Sequence, residues 1–207
     1  MSWTADQWVL HFDRLADQDF TVVDGAFPDG ETERLLAFAT SHVHADDLHD
    51  AGIGADGDFQ MDRRIRSDRV LWLEPERDRS ISFFFTRMGD LMRLLNQLCF
   101  LGLSGHEFHL AHYPRGTFYR RHIDRFRHRN NRQISVVVYL NPAWRPGDGG
   151  ELVLYQAGGK KVVEPLFGRM VLFRSDRLEH EVMETHVDRL AITGWMLYQP
   201  PGLGFLG

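Results

Sequence analysis

Most of the residues that could do chemistry fall in one stretch, HYPRGTFYRRHIDRFRHRNNRQISVVVYLNP, residues 112–142. It carries seven arginines, three histidines and one aspartate in a chain whose formal net charge is −5. At its centre stands His122-Ile123-Asp124. Imidazole and carboxylate are both metal ligands, and two residues apart on a β-strand they project from one face and can reach one ion. The pattern alone is weak, because His-x-Asp occurs four times: His11/Asp13, His44/Asp46, His122/Asp124 and His186/Asp188. The surroundings sort them. His11/Asp13 lies in a helical pattern, where a two-residue offset points side chains apart. His44/Asp46 lies in an Asp- and Gly-rich loop, and His186/Asp188 at a turn between strands. Only His122/Asp124 closes a predicted strand, TFYRRHID.

A third ligand is needed. Two histidines and a carboxylate on one face of Fe(II) leave the other positions open for a co-substrate and dioxygen. His180, in EHEV at the start of another predicted strand, is the best candidate. His106, His109, His112 and His128 compete, and spacing does not exclude His128. Arg189 opens the apolar run RLAITGW. A buried arginine in such a strand needs a carboxylate, and its planar fork suits a bidentate one. A ligand carboxylate and a loop carboxylate are equally good partners on this pattern. Thr193, four residues on, faces the same side as Arg189, and Tyr139 in SVVVYLN offers a phenol from a neighbouring strand.

The elements that must hold these groups are mixed in the first hundred residues and β-rich afterwards. Helices are predicted over about 5–17, over 30–43 with Leu35, Leu36 and Phe38 inward, and over 80–101, where Phe84, Met88, Leu91, Leu95 and Leu98 recur at helical spacing. FTVVD (20–24) and RVLWLE (69–74) read as strands, and residues 44–58 as a mobile surface loop. Strands are then predicted at 107–113, 117–124, 133–141, 150–156, 160–165, 169–175, 179–185 and 189–199, separated by PRG, RPGDGG, AGGK and LFG. The expected fold class is mainly β with flanking helices (α+β), a double-stranded β-helix or jelly roll buttressed by N-terminal helices. One domain, 1–207, is expected: a helical flank with the first strands over 1–104 and the jelly-roll core over 105–200.

Composition narrows the function. Hydrophobic residues make up 43% and charged residues 26%, as in an ordinary globular protein. A pI near 6.1 argues against nucleic-acid binding. The single cysteine, Cys99, excludes an internal disulfide and points to a reducing compartment. The N-terminus lacks the pattern of a signal peptide and no stretch has the length of a membrane span, so the expected location is the cytoplasm, with no membrane partner. Oligomeric state is not legible.

The segments YPRGTFYRRHID, ISVVVYLNPAW, GGELVLY, LFRSDRLEHEV and RLAITGW together resemble the Fe(II)/2-oxoglutarate-dependent dioxygenases. With IRSDRVLWLE (65–74) the chain is similar, more narrowly, to the prolyl hydroxylase domain family, the oxygen-sensing type and its bacterial relatives. The resemblance runs from about Phe20 to Trp195. It implies Fe(II), 2-oxoglutarate and O2, with ascorbate as a candidate reductant, and hydroxylation with release of succinate and CO2. By position, His122, Asp124 and His180 match the iron ligands, and Arg189 the arginine that grips the distal carboxylate of 2-oxoglutarate. Tyr139 and Thr193 match further co-substrate contacts, and Tyr113 and Tyr119 match tyrosines lining the pocket. Arg66, Asp68, Trp72, Arg132 and Trp195 match positions around the substrate prolyl. Two departures bear on the substrate: the segment from Tyr113 to His122 is one residue shorter than in the animal oxygen sensors, and RFRHRNNR after Asp124 is far more basic. The implied partner is a protein with an exposed prolyl loop, a translation factor being one candidate. The alternatives are a same-fold oxygenase acting on a free amino acid or other small molecule, and a non-enzymatic jelly-roll metal or ligand binder.

Overall fold

The computed structural model describes residues 5–52, 65–124 and 131–198. Three helices precede most of the strands: α1 (Ala5–Gln18), α2 (Asp29–His44) and α3 (Ser82–Cys99). The strands are β1 (Phe20–Val23), β2 (His49–Asp50), β3 (Arg69–Trp72), β4 (Leu103–Tyr113), β5 (Tyr119–His122), β6 (Arg132–Tyr139), β7 (Leu152–Gln156), β8 (Gly159–Val163), β9 (Met170–Arg174), β10 (Glu179–Val182) and β11 (Arg189–Tyr198). They form a seven-stranded sheet in the order β1-β9-β6-β11-β4-β3-β2 and a four-stranded sheet in the order β5-β10-β7-β8. Every pairing is antiparallel. This is the jelly roll expected, with helices packed on the back of the large sheet.

The period of two explains how one sheet serves two cores. In β6, Ile134, Val136 and Val138 point to the helical side, and Val137 and Tyr139 to the space between the sheets. The first set joins Trp8, Phe12 and Leu15 of α1, Leu35 and Phe38 of α2, and Phe84, Met88, Leu91 and Leu95 of α3 in one apolar cluster. The second joins Ala191, Phe173 and Tyr113 with Leu152, Leu154 and Val182 of the small sheet. Leu36 is only partly buried at the edge of the first cluster.

Several expectations shift. The helix expected from Ser80 begins as a 3-10 turn, Arg79–Ile81, and α3 stops where Phe100 turns left-handed at φ 54°. The loop expected over 44–58 carries a two-residue strand where it is described: His49–Asp50 (β2) pairs with β3, and Leu48 and Ala51 are buried. Two isolated apolar residues are too few to show a period, so the sheet edge rather than local pattern makes that strand. Residues 53–58 lie outside the described residues. Among the described residues no helix is long and apolar enough to cross a membrane.

Candidate metal centre

Strand β5 of the small sheet brings His122 opposite His180 of β10 in direct register. Asp124 stands two residues beyond the end of β5 rather than within it, yet its side chain turns back between them. Asp124 Oδ1 lies 3.5 Å from His122 Nε2, and Oδ2 lies 3.5 Å from His180 Nε2. Three ligand atoms, one from each residue, fall within 4.8 Å of one another, and this is the one such group among the described residues.

Each ligand is aimed by a neighbour. His122 Nδ1 is 2.7 Å from the Arg120 carbonyl, and His180 Nδ1 is 3.2 Å from the Leu178 carbonyl. A carbonyl only accepts, so both Nδ1 atoms carry the proton and both Nε2 lone pairs face inward, as a metal requires. Tyr119 stacks on the His122 ring at 3.6 Å, and Phe173 meets the His180 ring edge-on at 4.6 Å. Ser135 donates to Asp124 Oδ2 at 2.7 Å and lies 2.8 Å from the Ser175 hydroxyl. Burial lowers the His180 pKa to about 4, so it is neutral at pH 7. Burial alone would raise that of Asp124, but the two imidazoles and the Ser135 hydroxyl hold the carboxyl well below its usual range. Two imidazoles and one carboxylate, bare on one side, fit a divalent iron with open positions.

The large sheet supplies the facing wall. Register places Arg189 beside Tyr113, Ala191 between Ala111 and Tyr139, and Thr193 between His109 and Val137. Arg189, Thr193, Tyr113 and Trp195 line one pocket with the His122/Asp124/His180 group. Arg189 is 2% exposed. Its Nε donates to the Gly150 carbonyl at 2.8 Å, and its guanidinium lies over the rings of Tyr113 and Tyr139, 4.7 and 5.1 Å from their centroids. Among the described residues no carboxylate pairs with it; the neighbouring Asp188 faces His112 at 3.6 Å and the Arg115 amide. Among the described residues the Tyr139 hydroxyl is buried without a hydrogen-bond partner. Gly150 makes room for this arrangement: at φ +75° a Cβ there would stand 2.8 Å from Arg189 Cδ. A lone buried cation beside an unpartnered phenol suits an anionic ligand with a carboxylate at its far end.

At the mouth, Arg66 forms a two-pronged ion pair with buried Asp68, at 2.7 and 2.8 Å, and lies over the Tyr119 ring. Burial pushes the Tyr119 hydroxyl up to about 12. Arg132 reaches Glu107 at 2.6 Å and covers Trp195 at 3.4 Å. Trp72, 48% exposed, leans on Trp195 at 6.3 Å. Of the arginine cluster, Arg121 points outward to Glu179 and the Tyr155 ring, and Arg115 and Arg120 are exposed. Arg125, Arg127, Arg129 and the competing His128 lie outside the described residues. His106 packs among Phe85 and Phe108, away from the triad. Sequence pattern missed Ser135, Ser175, Gly150 and Glu107. The two serines sit in ordinary strand positions, and no spacing signals a hydroxyl aimed at a carboxylate.

Comparison with known proteins agrees with this geometry. Residues 108–197 match the family model described as the 2OG-Fe(II) oxygenase superfamily. The chain is 31% identical over 142 residues to human prolyl hydroxylase EGLN3, a match covering 64% of this chain and 59% of that protein, so it spans less than two thirds of that relative's length. It is 31% identical over 184 residues to a PKHD-type hydroxylase of Parvibaculum lavamentivorans, covering 88% of this chain and 71% of the relative. Among solved structures, a Pseudomonas putida prolyl-4-hydroxylase superimposes with a TM-score of 0.84 at 34% identity over 92% of this chain and 98% of that one. A Trichoplax adhaerens prolyl hydroxylase, solved with a peptide fragment of the hypoxia inducible factor oxygen degradation domain, superimposes with a TM-score of 0.85 at 25% identity over 93% and 90%.

Proposed function

From its place in the 2OG-Fe(II) oxygenase superfamily, to which this chain belongs, we propose that it hydroxylates a prolyl residue exposed on a loop of a protein substrate, releasing succinate and CO2. The family uses Fe(II), 2-oxoglutarate and O2. The observation that carries the proposal is the joint geometry of one pocket: three converging ligand atoms, from β5, β10 and the turn after β5, and on the large sheet a buried arginine with no carboxylate partner among the described residues.

His122, Asp124 and His180 would hold the iron through two Nε2 atoms and one carboxylate oxygen. Bound there with 2-oxoglutarate and dioxygen, the iron supplies the oxidising chemistry that puts a hydroxyl on a substrate carbon. The protein's share is orientation and dryness. Arg189 grips the distal carboxylate of 2-oxoglutarate, with the Thr193 and Tyr139 hydroxyls as further donors and Tyr113 closing that end. Tyr139 is held protonated by burial and is therefore a donor. Arg66, locked by Asp68, braces Tyr119, which packs on His122. Trp72, Trp195 and Arg132 form the wall that a substrate loop meets. The two prolyl-hydroxylase structures superimposed above support the substrate class. The lone cysteine supports a reducing, cytoplasmic setting, where a translation factor is a candidate partner and ascorbate a candidate reductant.

The test is succinate formation with Fe(II), 2-oxoglutarate and ascorbate, with mass spectrometry of candidate protein substrates for a +16 Da shift on proline. His122→Ala and Asp124→Ala should abolish both signals. Turnover near that of the wild type in either variant would sink the metal assignment. Succinate made without a hydroxyprolyl product, but with an oxidised small molecule, would move the substrate to the small-molecule class.

A further inference from the structure

On the helical side of the large sheet, away from the metal centre, a groove of about 370 Å³ opens between α1 and α3. The space at the metal centre is about 40 Å³, so the groove is the larger of the two, and it has no part in the reaction. Val9 of α1, Leu98 and Cys99 of α3, and Leu101 line it, with Ile134 of β6 beneath. Val9 is 39% exposed and Leu98 44%, and Phe100, between Cys99 and Leu101, is 88% exposed. Phe100 also sits at φ 54°, in the left-handed region that glycine and asparagine usually fill at a helix end. Large apolar side chains left in water around a groove mark a surface that something covers. The charged residues of the lining, Asp13 and Arg174, are opposite in sign, and Arg174 is paired with Asp176 at 3.2 Å, so the occupant need carry no charge. A cavity of about 150 Å³ takes one benzene ring, so this groove suits about two or three large apolar side chains.

The chain supplies such an occupant at the right place. Strand β11 ends at Tyr198, whose Cα partner is Leu103 and whose ring would meet a Cβ on Gly102 at 3.2 Å. Leu101 of the groove directly precedes Gly102, so the chain leaves the sheet at the rim of the groove. Residues 199–207, QPPGLGFLG, come next in the sequence and lie outside the described residues. Pro200 and Pro201 have no N–H and cannot extend the ladder. Beyond them Leu203, Phe205 and Leu206 are the large side chains, and the segment carries no charge, although charged residues make up 26% of the whole chain. A segment that stays in solvent is usually rich in charge and poor in such residues. Fully extended, it reaches about 30 Å, whereas the part of α1 that lines the groove, from Val9 to Ala16, is about 10 Å long. We infer that residues 199–207 turn back over the helical face and seat Leu203, Phe205 and Leu206 in the groove between α1 and α3. The inference is independent of the substrate. Docked there, the segment ties the end of β11, the strand that carries Arg189, Thr193 and Trp195, to the helical layer.

Cys99 is the one cysteine of the chain and lines the groove, so its accessibility reads the docking directly. The assay is the rate at which N-ethylmaleimide alkylates the iron-loaded full chain under argon, followed by intact mass. Replacing Leu203, Phe205 and Leu206 together by serine should raise that rate about tenfold, with cooperative urea unfolding retained. Val9→Gln, which puts a neutral polar group on the open wall of the groove, should raise it as well. Adding Val9→Gln to the serine variant should change little further, because both break the same contact. A wild-type rate in the folded serine variant overturns the inference. So do rises that multiply when the two sets of changes are combined. Phe205→Cys, treated with a short bismaleimide, should become linked to Cys99 within one molecule. Links only between molecules, with a wild-type alkylation rate that falls as protein concentration rises, would seat the segment in a second copy of the chain and overturn the inference.

Discussion

Ser135→Ala isolates the part of the metal centre that lies outside the three ligands. Ser135 is fully buried, and its hydroxyl sits 2.7 Å from Asp124 Oδ2 and 2.8 Å from Ser175 Oγ. The carboxylate is ionised and cannot donate, so the one Ser135 proton goes to Asp124, and Ser175 donates to Ser135. Alanine removes a hydrogen bond to a charged group, about 1.5–3 kcal/mol. At about 1.4 kcal/mol per decade, metal affinity should fall roughly 10- to 100-fold, the range expected for groups that orient ligands. Ser175→Ala leaves the Ser135 proton on Asp124 and should weaken binding less than about threefold. The assay is anaerobic competition for Fe(II) or Mn(II) against a chelating dye, with urea unfolding as the control for folding. Wild-type affinity in a cooperatively folded Ser135→Ala protein would refute the reasoning. Equal losses in the two variants would refute the assigned direction of the serine bonds.

Tyr139→Phe removes a buried hydroxyl with no partner among the described residues, so the protein without 2-oxoglutarate should be as stable as the wild type or up to about 1 kcal/mol more so in urea, while 2-oxoglutarate binding measured by calorimetry weakens several-fold; a loss of stability would mean the hydroxyl is paired. Gly150→Ala must adopt φ +75° and push Arg189 Cδ away from 2.8 Å, which should cost about 1–3 kcal/mol of stability and weaken 2-oxoglutarate at least tenfold without weakening metal binding. The pH dependence of stability follows from His109, whose pKa falls from 6.5 to about 3 through burial and the charges of Arg66 and Arg132. The unfolded chain takes up this proton near pH 6.5 and the folded one does not, so the stability present above 6.5 is lost progressively as pH falls toward 3. Between pH 7 and 5.5 that amounts to about 1 kcal/mol, and His109→Leu should flatten the urea-midpoint profile by this much; an identical profile in the variant would show that His109 does not remain neutral in the fold.

Helices and barrel strands alike were legible in the sequence because each is written in its own period. Alternation in QISVVVY sends Val136 and Val138 to the helices and Val137 and Tyr139 to the barrel interior, and four- and three-residue steps from Phe84 to Leu95 mark one helix face. His122 and Asp124 could be singled out because a two-residue spacing at the end of a strand puts both on one face, His180 as the best third ligand at the start of another strand, and Arg189 because a charge in an apolar strand needs a partner. Which histidine would stand opposite His122 was beyond local pattern, because the β5–β10 register depends on how the two sheets close. The same holds for Asp124, which reaches the site from beyond its strand, and for β2, a strand only because β3 offers it an edge. Ser135, Ser175 and Gly150 act through atoms that come near only in the folded molecule: a hydroxyl on a carboxylate, a missing Cβ beside an arginine. Residue type and spacing determine which groups must be satisfied; only the packing of one sheet against the other decides which group satisfies which.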